Sequence, residues 1–176
     1  SLQFNGALVT EINVTLVNEI KEYAFIGCTS LVTVNLGETI CTIKAYAFSG
    51  CSNLTNLTLS KELASVEEYA FSGCAKLNGI NLEKGLANVS ANAFYGCNQL
   101  TETFFVGTDK EWKASVCVQS GNENFINSIH TYKATSPDYN ADFTGFDGKY
   151  WYYDAQGKPN AWDEEEFTLY EGNGAG

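Results

Sequence analysis

The pentad Ala-Phe-x-Gly-Cys occurs four times, at 24–28, 47–51, 70–74 and 93–97, and successive copies begin 23 residues apart. Apolar residues recur at the same step: Leu31, Leu54, Leu77 and Leu100; Val34, Leu57 and Ile80; Leu36, Leu59, Leu82 and Phe105; Val17, Ile40, Leu63 and Leu86; Ile20, Ile43, Val66 and Val89. A unit this short cannot close a core by itself, so its apolar side must be covered by the next unit. That requirement predicts an elongated stack of coils in which about eight positions per coil point inward. The stretch Thr33-Val34-Asn35-Leu36 alternates polar and apolar residues as a half-buried strand does, and strands of successive coils are expected to lie parallel, about 4.8 Å apart.

Within each unit, glycine at 27, 50, 73 and 96 falls between an inward Phe and an inward Cys, where the chain must turn. Phe25, Phe48, Phe71 and Phe94 are expected to stack inside the solenoid, each stabilising it by roughly 1.5–3 kcal/mol through burial. Four of the six cysteines (28, 51, 74 and 97) lie on one rung, and Cys41 and Cys117 lie off it. All six are expected to be free, buried thiols that react only on unfolding. Stacked Cβ vectors run side by side, a poor geometry for a disulfide.

The longer pattern Ile-x-x-Tyr-Ala-Phe-x-Gly-Cys-x-x-Leu-x-x-Val-x-Leu, read from Ile20 to Leu36, resembles the BspA-like class of leucine-rich repeat. The resemblance implies a solenoid of the α/β horseshoe class, mostly β with short turns or 3-10 segments, carrying a parallel sheet on its concave face. Segments Gly107–Trp112, Ser120–Asn124 and Ile129–Tyr132 resemble the irregular coil that closes such arrays, which extends the likeness to residue 132. One departure is the strand ending, where this class often has proline and the chain has Gly37, Ser60 and Glu83. A looser turn is expected there.

Residues 1–19 read as a degenerate first coil, with Ile12, Val14 and Val17 matching the later pattern one residue short, as if the fragment begins inside a longer array. At the other end Trp112 stands 23 residues after Val89 and is expected to fill that rung, with Val116 and Cys117 on the Ala and Phe rungs. The expected organisation is therefore a solenoid over 1–132, about five coils plus a cap, followed by an acidic, aromatic-rich extension over 133–176.

That extension holds nine acids and three lysines, net −6, against twelve acids and seven lysines, net −5, in residues 1–132. Gly148-Lys149-Tyr150-Trp151-Tyr152-Tyr153-Asp154-Ala155-Gln156-Gly157-Lys158 reads as a strand, a turn and a return strand, a β-hairpin or the start of another module. It is similar to one copy of the choline-binding or cell-wall-binding aromatic repeat. By that likeness Trp151, Tyr153 and Trp162 are candidate glycan-binding residues, acting by stacking and cation–π contact.

The net charge of −11, with ten lysines and no arginine, argues against a nucleic-acid partner, which draws affinity from clustered Lys and Arg. No run approaches the roughly 18 apolar residues of a membrane span, and the N-terminus has no basic segment followed by an apolar block, so any export signal or anchor is expected outside this chain. His130 is the sole histidine and no Cys-x-x-Cys occurs, which leaves little basis for zinc or for nucleophilic catalysis. The paired carboxylates Glu67-Glu68 and Glu164–Glu166 have a glycosidase-like composition, yet a narrow solenoid offers no deep cleft to raise the pKa of one acid. No catalytic residue, cofactor or metal site is expected.

What remains is recognition. The outward strand positions are Thr33, Asn35, Asn56, Thr58, Gly79, Asn81, Glu102 and Phe104, short polar side chains with Phe104 as the one large apolar group and expected anchor. Similarity to the surface-antigen class implies a secreted or cell-surface bacterial module that binds a protein on a host or neighbouring cell, with glycan or cell-wall binding through the tail as the alternative. A second row, Tyr23, Tyr46 and Tyr69 ending in Asn92, lies on the opposite side.

Overall fold

The computed structural model describes residues 2–132, 150–153 and 159–161. A short antiparallel hairpin of β1 (Gln3–Phe4) and β2 (Ala7–Leu8) leads into the solenoid. Each of four coils then contributes two strands: β3 (Glu11–Val14) and β4 (Glu19–Ile20), β5 (Thr33–Leu36) and β6 (Thr42–Ile43), β7 (Asn56–Thr58) and β8 (Ser65–Val66), β9 (Gly79–Leu82) and β10 (Asn88–Val89). The closing region contains β11 (Glu102–Phe105), helix α1 (Asp109–Ser115), β12 (Cys117–Val118), helix α2 (Glu123–Asn127) and β13 (Ile129–Tyr132). Strand β14 (Tyr150–Tyr153) pairs in parallel with β13, and β15 (Pro159–Ala161) pairs antiparallel with β14, so two further strands extend the solenoid sheet; the turn expected at 154–157 lies outside the described residues.

Two sheets result. The larger, in the order β15-β14-β13-β11-β9-β7-β5-β3, is parallel from β14 to β3, and the smaller is the parallel ladder β12-β10-β8-β6-β4. The expected parallel solenoid is thus the fold adopted. Register follows the repeat: Thr33 faces Asn56, Asn56 faces Gly79 and Gly79 faces Glu102. The first coil is one residue short, and Ile12 and Val14 pair with Val34 and Leu36.

A third ladder joins the turns. The N–H groups of Phe25, Phe48 and Phe71 donate to the carbonyls of Ala47, Ala70 and Ala93 at 2.7, 2.7 and 2.8 Å. Between these bonds the phenyl rings stack, Phe48 on Phe71 with centroids 5.3 Å apart and planes within 2°. Phe48 and Phe71 are fully buried, while Phe25 at the first coil is half-buried. Each rung thiol from the second coil onward points back along the stack: the Sγ of Cys51, Cys74 and Cys97 donates to the carbonyl of Phe25, Phe48 and Phe71 at 3.2, 3.3 and 3.2 Å.

Gly27, Gly50, Gly73 and Gly96 close the turn with φ of 65°, 75°, 73° and 75°, in the left-handed region that glycine enters without steric cost. The strand-ending turn also departs from proline for local reasons. A side chain at Gly37 would meet the Val14 carbonyl oxygen at 2.9 Å, and the buried Ser60 accepts the Glu62 N–H through its hydroxyl at 3.2 Å.

Several expectations about the ends are corrected. Trp112 does not fill the Val89 rung: Val118 pairs with Val89, and Trp112 sits in α1 with its ring edge-on to Phe105 at 5.1 Å. Phe125 rather than Cys117 continues the phenyl stack, 4.5 Å from Phe94 and within 5° of parallel. A helical residue advances about 1.5 Å where a strand residue advances about 3.3 Å, so inserting α1 and α2 delays the next rung beyond 23 residues. Val17, expected on the Ile40 rung, stays 41% exposed beside Leu16, whose φ of 63° bends the first coil. All six cysteines are free as expected, but Cys41 and Cys117, which lie off the rung, are exposed.

Candidate partner-binding face

The alternation of β5, β7 and β9 turns Val34, Leu57 and Ile80 into the core and leaves their neighbours outward. Asn56, Thr58, Asn81 and Glu102 are exposed on this face, and Thr33 and Asn35 are half-buried among their neighbours. Asn35 spends its amide on this crowding, donating to Asn13 Oδ1 at 2.8 Å, while Asn56 donates to Thr33 Oγ1 at 3.4 Å. Glu11 and Asn13, aligned with Thr33 and Asn35, extend both rows by one coil. Sequence reading missed them because the first coil lacks the pentad. The 22-residue step from Ile12 to Val34 carried the signal.

Phe104 is not the exposed anchor expected of it. It occupies the outward register opposite Asn81, but only 7% of it is exposed and its ring leans on His130 at 5.4 Å. The cause is the sheet itself, which continues past β11 into β13, where His130 takes the position opposite Phe104. The Nδ1 of His130 is buried without a hydrogen-bond partner among the described residues. Of the tail candidates, Trp151 and Tyr153 lie on β14, and Trp162 falls outside the described residues.

On the turn side, Tyr23, Tyr46 and Tyr69 stack at 5.3 and 5.0 Å, and the Asn92 amide donates to the Tyr69 hydroxyl at 3.1 Å. Their φ values of 60°, 58° and 56°, with 58° for Asn92, are unusual for residues with a Cβ. Mutual stacking occupies the ring faces along the row, so it presents edges and hydroxyls rather than a flat aromatic platform. Beside it runs a charged row in which Lys44 reaches Glu67 at 2.8 Å and Glu19 at 3.9 Å. The hydrogen bond to Glu67 raises the Lys44 pKa, and bonding to Lys21 lowers that of Glu19. These are exposed pairs of small energetic weight.

No group of three His, Cys, Asp or Glu with metal-holding geometry occurs among the described residues, and no helix among them is long and apolar enough to cross a membrane. The face presents amide, hydroxyl and carboxylate side chains on a parallel sheet.

A two-sheet solenoid with a period of 23 residues and a polar sheet face defines a leucine-rich-repeat protein. The BspA type leucine rich repeat region family matches residues 2–123 in six copies, and the chain belongs to that family. Among solved structures, it resembles a leucine rich repeat protein of T. pallidum at 23% identity and TM-score 0.60, over 73% of this chain and 60% of that one. It also resembles a leucine rich cell surface protein of Faecalibacterium prausnitzii at 22% identity and TM-score 0.55, over 61% of this chain and 35% of that one. A third likeness is to a leucine-rich repeat protein of Bacteroides ovatus at 24% identity and TM-score 0.53, over 73% of this chain and 34% of that one. The chain thus spans 60% or less of the length of each. No curated protein matches it.

Proposed function

We propose that this chain is a non-enzymatic adhesion module, carried outside the cell or on its surface, that recognises a protein on a host or neighbouring cell through the face of its larger sheet. The observation that carries the reading is the pair of polar rows on that face, held in register by the ladder from β3 to β11. Family membership supports it, as does the likeness to a protein described as a cell surface protein. Thr33, Asn35, Asn56, Thr58, Asn81 and Glu102 make the contact, joined by Glu11 and Asn13. Phe104 serves as packing at the end of the face.

A parallel face about 20–25 Å long gives a patch of a few hundred Å², below the roughly 800 Å² per partner of a standard interface. A single copy therefore binds weakly, and surface density supplies strength through effective concentration. The test is adherence of beads coated with the protein to intact, protease-treated and periodate-treated cells. A variant with Thr58→Lys and Asn81→Lys blocks the face, and Tyr69→Asn serves as a control on the opposite side. Adherence lost with protease and with the face variant supports the reading. Adherence that survives protease but not periodate, or that ignores the face variant, refutes it.

A further inference from the structure

We propose that the cleft between the fourth repeat turn and helix α2 is a binding site for a neutral saccharide unit, with Tyr95 as its aromatic wall. The cleft is distinct from the sheet face. It is about 350 Å³ in volume and is lined by Tyr95, Asn98, Glu123 and Asn124 over a floor containing Gly96 and Gly121. That size falls at the lower end of small-ligand sites, about 300–1,000 Å³.

The cleft exists because the cap does not copy a repeat. Along the stack, each turn lies on the one before it, and an added Cβ at Gly50 or Gly73 would sit 3.6 or 3.7 Å from the preceding glycine Cα. Above Gly96 the chain forms α2 instead. The helix delivers Phe125 onto Phe94 but leaves the outer part of the turn uncovered. At Gly121, whose φ is 78°, a Cβ would come within 2.0 Å of Asn92 Oδ1, so the floor has no room for a side chain.

The residue on the wall is the exception in its series. Equivalent positions in the earlier turns carry Ile26, Ser49 and Ser72, whereas the fourth carries Tyr95, which is 61% exposed. Unlike Tyr46, it has no ring stacked on it among the described residues, so its face is free to take the C–H surface of a sugar ring. Its backbone is fixed by the bond from Gly73 N–H to the Tyr95 carbonyl at 2.7 Å.

The polar groups fit hydroxyls better than ions. Asn124 Nδ2 donates to Asn98 Oδ1 and to the Cys97 carbonyl, both at 3.4 Å, which orients the two amides across the cleft. Glu123 Oε1 accepts the Gly121 N–H at 3.3 Å. The Asn98 amide nitrogen, the Asn124 side-chain carbonyl, the second Glu123 oxygen and the Tyr95 hydroxyl of these lining residues keep hydrogen-bonding capacity for a ligand, with no partner among the described residues. A hydroxyl gives and takes hydrogen bonds, matching that mixture. An anion would meet Glu123, no lining lysine and a chain of net charge −11. A cation would leave the amide donors unused.

The experiment follows backbone amide shifts of the intact chain by ¹⁵N NMR. The probes are N-acetylglucosamine, galactose and mannose, their disaccharides, and choline chloride. The expected result is that at least one saccharide gives saturable shifts confined to Tyr95, Gly96, Asn98, Gly121 and Asn124. Tyr95→Ser should weaken that binding by at least roughly tenfold, the scale of one aromatic contact, with the other amides unmoved, because serine already occupies two equivalent turns. Asn124→Ala should also weaken it and provides the second test if Tyr95→Ser disturbs the fold. Trp151→Ala should leave it unchanged. Absence of saturable shifts with every saccharide, unchanged affinity in Tyr95→Ser and Asn124→Ala, loss in Trp151→Ala, or choline alone shifting these amides would each overturn the assignment. The bead assay on the sheet face does not depend on the outcome.

Discussion

The side-chain oxygen of Asn122 accepts the backbone N–H of Phe94 at 2.9 Å, in the place where a carbonyl of the next coil serves Phe25, Phe48 and Phe71. Asn122 is 1% exposed, and its amide nitrogen donates to the carbonyls of Ser90 and Gln119, both at 2.9 Å. One side chain thus terminates the turn ladder and ties it to the cap. Asn122→Ala leaves the buried Phe94 N–H and the Gln119 carbonyl short of partners, while the Ser90 carbonyl keeps the Ala93 N–H, and should destabilise the chain by roughly 2–4 kcal/mol. Asn122→Asp keeps the acceptor but sets a second oxygen against those carbonyls in a buried site, so its cost should rise with pH as the carboxyl ionises. Chemical denaturation decides it, and a loss under about 1 kcal/mol for the alanine variant would show that water replaces the cap.

Phe71→Ala should cost about 3–5 kcal/mol, because rings above and below hold the cavity open. Phe25→Ala should cost less, since its outer side is already half-exposed. Equal losses at the two positions would contradict a stack anchored in its middle.

Thiol reactivity should divide four and two. Burial pushes Cys51 and Cys97 up to about 12 and raises Cys74 as well, so these stay protonated and enclosed at neutral pH. Cys28 is buried with them, while Cys41 and Cys117 are exposed. Titration in native buffer should therefore modify two thiols promptly and the remaining four only on unfolding. Labelling of Cys74 at the rate of Cys41 would mean that the core opens freely.

Gly73→Ala tests whether conformation or space fixes the turn glycine. A Cβ there meets Gly50 Cα at 3.7 Å, ordinary contact, so the penalty comes from φ of 73° and should be roughly 1–2 kcal/mol. Gly73→Asn should cost less, because asparagine tolerates the left-handed region better. If both cost the same in thermal unfolding, packing rather than φ is limiting.

Glu111 links α1 to the fourth coil. Its carboxyl is held at about 2, below the ordinary 4.5, first by the hydrogen bond from Lys84 at 2.7 Å and then by the Thr108 N–H at 2.7 Å and hydroxyl at 3.0 Å. A depressed folded value stabilises above the unfolded value and is lost as protons bind. The contribution is thus whole above about pH 4.5 and fades toward pH 2. Carboxyl NMR titration should find the midpoint near 2, rising in Lys84→Ala. A wild-type midpoint at 4.5 would show that the capping box is not formed in solution.

The repeat made the core legible because burial follows a 23-residue arithmetic from Leu31 to Leu100, each position covered by its counterpart. The polar rows from Thr33 to Glu102 were legible for the same reason, by strand alternation. What failed lay where the arithmetic stops. Trp112 and Cys117 were placed by counting, and helices do not keep the count. Phe104 was judged exposed by parity, although parity fixes the side of a sheet and not what covers it. Asn122 and Tyr95 carry no periodic signal, and only the meeting of turn and cap reveals them.

The turn ladder makes each coil an interchangeable part. The second and third coils each present carbonyls to the coil before and N–H groups to the coil after at the same turn positions, and the fourth presents the same carbonyls to the third. Excising residues 47–69 would bring Ala70 against Phe25 and Gly73 against Gly27 with the same partners on offer: the Phe25 N–H toward the Ala70 carbonyl, the Cys74 thiol toward the Phe25 carbonyl, and phenyl on phenyl. The reach of this module is therefore a matter of whole-unit copying, and its length can change in steps of one coil while both ends keep the neighbours they already have.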